Sequence, residues 1–454
     1  MLTAAKINGR LKRLNDRLRK YIPPRETWTP VDEVIFTPTD FFSVSTNEAQ
    51  ELQFRAIKHA FTRHYTLSGF YSRYCDTRGV TPDDVKTHDD LEKIPLIPDL
   101  TFKMHPSGEG FADWVANIYT GDLPTVAINA DSTFDGVINA YNEVGLAIAL
   151  SSGTSGRHTV MPRDKRTFLT HGYACSKTVT CMFDELIVDH SLVLTPSPTQ
   201  SNLWVAQALA FFPDLFDDVT HGLDLYISAS LAGEAMTNEA KRRSASLSTT
   251  ERGQITVGSA IKWLERYHKT SDTIRLFTFP FLLLGLMEVL EQQGKRFEFG
   301  ERGFIMTGGG WKLSEDKRIS PEDFRKRVEE VFGIPETHTF DAYAMVELNG
   351  ACIQCPEGHY LHIPYPWLKP LVLDRRLTPV SYGEWGRFAF LDAVAGSYPG
   401  FIMTGDEARM LEHCPVCDRP GPVLEPNVRR AAGQEMRGCA EEVRRVIEQD
   451  LGSS

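Results

Sequence analysis

Between Leu146 and Tyr343 the chain alternates short strand-like runs with longer helix-like ones, and few architectures accept that alternation. The strand-like runs are LAIALSS (146–152), HSLVLTP (190–196), DLYISAS (224–230), IRLFTF (274–279) and FIMTGGG (304–310). Among them lie FLTHGYACSKTVTCMF, NLWVAQALAFF, SAIKWLERYHK, LLLGLMEVLEQQ and SPEDFRKRVEEVF, which read as helices. Strands joined through helices predict βαβ units, an α/β fold with a mostly parallel sheet and helices on both faces. Such sheets hold ligands beyond the carboxyl ends of their strands, so the turn after each strand is where a site is expected.

The flanks read differently. Residues 1–20 form a basic, amphipathic surface helix without the apolar core of a secretory signal. Pro23, Pro24, Pro30 and Pro38 then predict an irregular arm to residue 48. From Glu48 a helix returns, with Leu52, Ile57, Phe61 and Tyr65 as its apolar stripe. From Leu361 to Met410 the segments are short and β-rich, with turns at Asp374–Arg375 and Gly383–Glu384, which suggests a partly antiparallel subdomain. The expected division is an arm (1–48), an α/β core (49–350), a β subdomain (351–420) and a short helical tail (421–454). With 42% hydrophobic and 24% charged residues, the 454-residue chain is globular rather than disordered. A net charge of 49 − 60 = −11 argues against a nucleic-acid partner, and no apolar run reaches the length of a membrane span. Eight cysteines are thin for a disulfide scaffold, so a soluble cytoplasmic protein is expected.

Four turns carry chemistry. ALSSGTSGRHTVMPRD (149–164) runs from a strand into Ser151-Ser152-Gly153-Thr154-Ser155-Gly156. Glycines let backbone N–H groups approach an anion, and the hydroxyls add neutral donors for phosphate oxygens. Arg157 and Arg163 add charge, but no Gly-Lys-Ser/Thr closes a Walker loop. FIMTGGGWKLS places Gly308, Gly309 and Gly310 after another strand. FDAYAMVELN carries Tyr343 and Glu347, and FIMTGDEARM carries Asp406. Together they offer donors for a triphosphate, an aromatic face for a base, and carboxylates for Mg²⁺ and a ribose diol.

The order SSGTSG, GGG, Y-x-x-x-E, TGD resembles the adenylate-forming superfamily of acyl- and aryl-CoA ligases, over about Glu51 to Arg419. Within it the chain is most similar to the phenylacetate–CoA ligase branch, including the bacterial acyl-protein synthetases and the short adenylating proteins of phenazine-antibiotic biosynthesis. The resemblance implies the large α/β N-terminal domain of that superfamily plus a small β subdomain. It implies that Ser151, Ser152, Gly153, Thr154, Ser155 and Gly156 hold the β- and γ-phosphates of ATP, with Thr154 acting in catalysis. Gly308, Gly309 and Gly310 would line the adenine and acyl pocket. Tyr343 would stack on adenine, Glu347 would bind Mg²⁺, and Asp406 would bind the ribose. Only 454 − 406 = 48 residues follow Asp406, so the usual C-terminal domain is expected to be largely absent. Its catalytic lysine then needs a substitute, and Lys312 in GGGWK is the local candidate, with Arg157 and Arg163 behind it.

CIQCPEGH (352–359) and HCPVCDRPG (413–421) form a separate constellation. Thiolate pairs two residues apart are the usual half-sites of structural zinc. The five candidates are Cys352, Cys355, His359, Cys414 and Cys417, with His413 adjacent, and the favoured set is Cys355, His359, Cys414 and Cys417. Cys439, flanked by Arg437, Arg444 and Arg445, is a candidate acyl acceptor by loose analogy with the acyl-protein synthetases, against an ordinary helix cysteine. Asn202, Trp204, Phe279 and Phe281 are candidates for an acyl pocket that would suit a flat aromatic acid.

The function expected is ATP-dependent activation of an aryl or acyl carboxylic acid as its adenylate, within secondary metabolism. The acyl group would pass to CoA, an amine or a partner protein. The rival readings are an acyl-protein synthetase serving a reductase and a scaffold that binds adenylate without catalysis. The cofactors expected are ATP, Mg²⁺ and structural Zn²⁺. The partners expected are the acid, an acceptor or reductase protein and, for assembly, a second copy of the chain.

Overall fold

A computed structural model describes residues 4–106, 110–128, 133–151, 157–183, 189–199, 201–223, 251–311 and 316–431. Strand β1 (Ile97–Pro98) is a two-residue piece at one side, and β2 (Ala147–Leu150) pairs with β3 (Val160–Arg163) as a separate antiparallel hairpin. The parallel core follows in β4 (His190–Pro196), β5 (Asp218–Leu223), β6 (Ile274–Thr278), β7 (Gly303–Gly308) and β8 (Thr339–Tyr343), in the spatial order β8-β7-β6-β4-β5. The strand expected at 224–230 lies outside the described residues; β5 ends just before it.

Alternate residues of each strand serve opposite faces of the sheet. Leu192, Leu194, Ile274, Leu276 and Ile305 are buried against the helices Glu251–His268, Pro280–Gln292 and Pro321–Phe332. Val193, Phe277, Phe304 and Phe340 face the other way, towards the helix Lys165–Met182. Pro280 and Pro321 open their helices, where a missing N–H costs nothing, and Gly333 closes the second at φ 64°.

The N-terminal flank is more ordered than its prolines suggest. The helix Ala4–Arg17 buries Ile7, Leu11 and Leu14, a stripe of helical spacing. Inside the arm, Pro30 starts a helix over Pro30–Phe36, with Thr29 and Asp32 as a capping box. A proline read as a breaker is here the first residue of a helix.

Past β8 the sheet turns antiparallel through β9 (Cys352–Gln354), β10 (Leu361–His362), β11 (Leu368–Leu373), β12 (Trp385–Asp392) and β13 (Phe401–Leu411). β14 (Val423–Leu424) joins β10 to β13, and β15 (Arg429–Arg430) pairs with β13 opposite Asp406 and Glu407. The described part of the expected helical tail is therefore β-structure that returns to the site.

Candidate active site

The carboxyl ends of β7 and β8, the stem of the β2–β3 hairpin and strand β13 surround one cavity of about 860 Å³. Its lining includes Ser151, Gly308, Gly309, Gly310, Tyr343, Glu347 and Asp406. Ser152, Gly153, Thr154, Ser155, Gly156 and Lys312 lie outside the described residues, as does Cys439. The hairpin stem is closed by the Ser151 N–H to the Thr159 carbonyl (3.0 Å) and the Thr159 N–H to Ser151 Oγ (2.8 Å). Gly309 and Gly310 sit at φ 76° and 70°, where a side chain would be strained, so β7 ends in a turn only glycine adopts readily.

The carboxylates at the mouth are held in specific partnerships. The Tyr343 hydroxyl donates to Asp406 Oδ2 (2.8 Å), and Arg430 Nη1 lies 3.1 Å from Asp406 Oδ1. Burial beside Asp406 pushes the Tyr343 phenol well up, so it stays a donor. Lys103 Nζ lies 3.3 Å from Asp99 Oδ2. Gly405 admits these groups together: a Cβ there would meet Arg430 Nη1 at 3.0 Å and Asp99 Oδ2 at 3.3 Å. Glu347 occupies a turn after β8 and is 5% exposed. Burial raises its carboxyl pKa and Asp99 adds to the rise, while Lys103 opposes it. A buried carboxylate facing a second one is a place where a hard cation fits. Asp341, in the wall, accepts from the Thr307 hydroxyl (2.7 Å), and burial pushes its carboxyl up to about 6.

Arg163 does not line the cavity. It is fully buried, with Nε donating to Asn349 Oδ1 (2.7 Å), Nη2 to Tyr398 Oη (3.0 Å) and to the Val346 carbonyl, and its guanidinium 3.8 Å from the Trp204 ring. Tyr398 Oη in turn donates to the Glu347 carbonyl (3.1 Å). Arg163 therefore ties the hairpin to the turn that carries Glu347 rather than meeting phosphate.

Behind the mouth the cavity becomes apolar, walled by Val179, Leu209, Phe211, Phe212, Leu215 and Phe277. Trp204 and Phe279 line it, but Asn202 and Phe281 do not. Asn202 instead accepts from Asn142 Nδ2 (2.8 Å), and Phe281 stacks on Phe279 at 5.4 Å. Arg275 reaches this apolar part from β6, 1% exposed.

A second cluster lies in the antiparallel part of the sheet. Cys355, His362, Cys414 and Cys417 place their ligand atoms within 4.8 Å of one another. His362 takes the place expected for His359. The chain reverses at residues 355–360, where the Cys355 N–H bonds the Tyr360 carbonyl (3.0 Å), and His359 sits in the reversal at φ 57°. β10 then brings His362 back beside Ile353 of β9, with His362 Nε2 3.3 Å from Cys417 Sγ. Cys352 faces Tyr343 across β8 and β9 instead, and His413 is exposed. Three thiols and one imidazole at this spacing fit a tetrahedral zinc ion.

The sequence reading missed His362, Asp99, Lys103, Arg275 and Arg430. His359 and His362 both lie within seven residues of Cys355, and spacing alone favours the nearer. Arg430 follows the TGD segment closely enough to return to it, a signal visible in the sequence. Asp99 and Lys103 sit in a proline-bounded segment with no motif.

Comparison with known proteins places the chain. Residues 250–448 match the acyl-protein synthetase (LuxE) family model. The long-chain-fatty-acid–luciferin-component ligase of Vibrio harveyi is 25% identical over 420 residues, covering 91% of this chain and 92% of that protein. Its counterpart in Aliivibrio fischeri is 24% identical over 425 residues, covering 93% and 95%. Among solved structures, 2-hydroxyisobutyryl-CoA ligase in complex with 2-HIB-AMP and CoA superposes with a TM-score of 0.59 at 14% identity, covering 90% of this chain and 74% of that one. The chain is thus similar to the acyl-protein synthetases and shares the fold of the adenylate-forming ligases, as the order of its motifs implied. No described helix is long and apolar enough to cross a membrane.

Proposed function

We propose that the chain activates a carboxylic acid with ATP as an acyl-adenylate and hands the acyl group to an acceptor. The observation that carries this reading is the convergence of Ser151, Gly308–Gly310, Tyr343, Glu347 and Asp406 on a cavity that continues into an apolar chamber. Asp406 and Tyr343 would meet the ribose and adenine, and the glycine turn would let the nucleotide lie against the sheet edge. Thr154 and its neighbours would take the phosphates. Mg²⁺, held by Glu347, would supply charge neutralisation at the phosphate oxygens.

The chemistry asks little of an acid or base. A carboxylate oxygen attacks the α-phosphorus, a P–O bond forms, and the bond to pyrophosphate breaks. The carboxylate is already ionised at neutral pH, so no proton need be removed. The protein must align the two reactants and stabilise the charge on the α-phosphate and the leaving pyrophosphate. Lys103 and Arg430 stand at the mouth for that task, and Lys312 is the further cation that its motif implies. The apolar chamber would hold the body of the acid. The four-residue Cys/His cluster would hold a structural zinc, since all four positions are filled by protein.

The test is pyrophosphate exchange into ATP over a panel of carboxylic acids. Exchange that depends on one class of acid and on Mg²⁺ is expected. A folded protein that exchanges with no acid would sink the adenylation reading and leave a binding role.

A further inference from the structure

Arg275 has no part in the chemistry above, yet it is the most conspicuous polar group in the apolar chamber. Its side chain is 1% exposed, and its Nε and Nη2 are buried with no hydrogen-bond partner. No carboxylate among the described residues pairs with it; its near neighbour is the Phe216 ring, 5.4 Å from the guanidinium carbon. Its register neighbour on β4 is Ser191, fully buried with an equally unpartnered Oγ. Buried polar groups are nearly always satisfied, and a guanidinium keeps its charge in proteins. Two adjacent unsatisfied groups on the chamber side of one sheet mark a place that a ligand completes.

We propose that the acid this chain accepts is a dicarboxylate, whose far carboxylate is bound by Arg275 at the deep end of the chamber. The proposal rests on the adenylation reading and names its substrate class. Register supplies the geometry. Arg275 pairs with Phe304 on β7, and Gly308 of the glycine turn lies four residues further along the same strand. At about 3.3 Å per residue that is about 13 Å between the mouth, where the reacting carboxylate sits, and the level of Arg275. A planar guanidinium takes a carboxylate through two parallel hydrogen bonds, which fixes the far end of a chain that apolar walls alone would hold loosely. An unsubstituted alkyl chain of the same length would end its methyl group against a desolvated cation. A site built to bond a polar group rejects the analogue that lacks it far more strongly than an apolar pocket discriminates between chain lengths.

The test compares straight-chain dicarboxylic acids, from hexanedioic to dodecanedioic, with the monocarboxylic acid of equal length in the exchange assay. The wild-type protein should favour the dicarboxylate at its best length by at least about tenfold in kcat/KM. Arg275→Met should lose that preference and gain activity on the monocarboxylate, while Arg275→Lys should retain part of it. The proposal is overturned by a wild-type protein that favours monocarboxylates at every length, or by a ratio that both variants leave unchanged. If Arg275→Met fails to fold, the comparison of Arg275→Lys with wild type decides. If no acid supports exchange, the adenylation reading fails, and the binding claim is judged apart from it by melting temperature. Dicarboxylates should then raise that of the wild type more than that of Arg275→Lys, and equal shifts or none would overturn it.

Discussion

Glu347 and Asp341 stand six residues apart, and the same segment asks two different things of a carboxyl group. Glu347 is buried beside Asp99, so its charge is unfavourable until a cation joins it. Glu347→Gln keeps the shape and removes the ligand charge. Exchange should fall by at least about 10²-fold with the melting temperature unchanged or raised; near-normal exchange in a stable variant would remove Glu347 from the metal site. Asp341 is pushed up to about 6 from 3.8, so the folded protein holds a proton that the unfolded chain has released. The sign follows: folding is favoured below about pH 4, and that advantage is lost as pH rises to about 6. Allowing for its contact with the cavity, the loss is about 2 kcal/mol. Asp341→Asn should flatten the stability curve between those pH values, measured by urea unfolding. An unchanged slope would show that Asp341 titrates normally. Of the two, only Glu347 was legible in the sequence, through its spacing from Tyr343. Asp341 reads as an ordinary strand residue, because burial is not written in a residue's own type.

At the scale of elements, periodicity carried most of the reading. The helices Lys165–Met182, Pro280–Gln292 and Pro321–Phe332 and the strands β4, β6 and β7 stand where apolar spacing put them. What failed was local punctuation. Pro30 opens a helix, and after the reversal at 355–360 it is His362 on β10, not His359, that joins the cysteine cluster. A C-x₂-C pair says that a ligand follows but not on which side of the next turn, since a hairpin can return a later residue to the same place. The cluster gives a sharp prediction. Elemental analysis should find one zinc per chain, lost in His362→Ala and kept in His359→Ala. The melting temperature should fall in the first variant only, because a structural site contributes directly to folding. Zinc retained by His362→Ala and lost from His359→Ala would restore the set that spacing favoured.

Across the whole molecule, the chamber depends on one helix that is fastened from outside. Lys165–Met182 turns His171, Cys175 and Val179 towards the cavity, while Lys177 points the other way and is 1% exposed. Its ammonium donates to the carbonyls of Val34 (2.8 Å), Ile35 (3.0 Å) and Thr37 (2.7 Å). Those are carbonyls at the end of the helix Pro30–Phe36, which have no partner within that helix. One cation thus caps a helix of the N-terminal arm and pins it to the chamber wall, although burial lowers its own pKa to about 8. The link joins segments about 140 residues apart, so only the folded chain reveals it. Lys177→Met fills the same space and leaves the Val34 and Ile35 carbonyls unsatisfied, while the Thr37 carbonyl keeps the Thr39 N–H (2.8 Å). It should cost about 3 kcal/mol in urea unfolding, since an orphaned buried acceptor costs about 1–3 kcal/mol and neighbouring losses do not add fully. Exchange measured well below the melting temperature should change little, because nothing in the cavity is removed. The pairing of outcomes carries the argument: a large loss of stability with activity kept identifies a brace. Activity lost at unchanged stability would mean that Lys177 reaches the chemistry, and stability unchanged would mean that the arm holds its place without it.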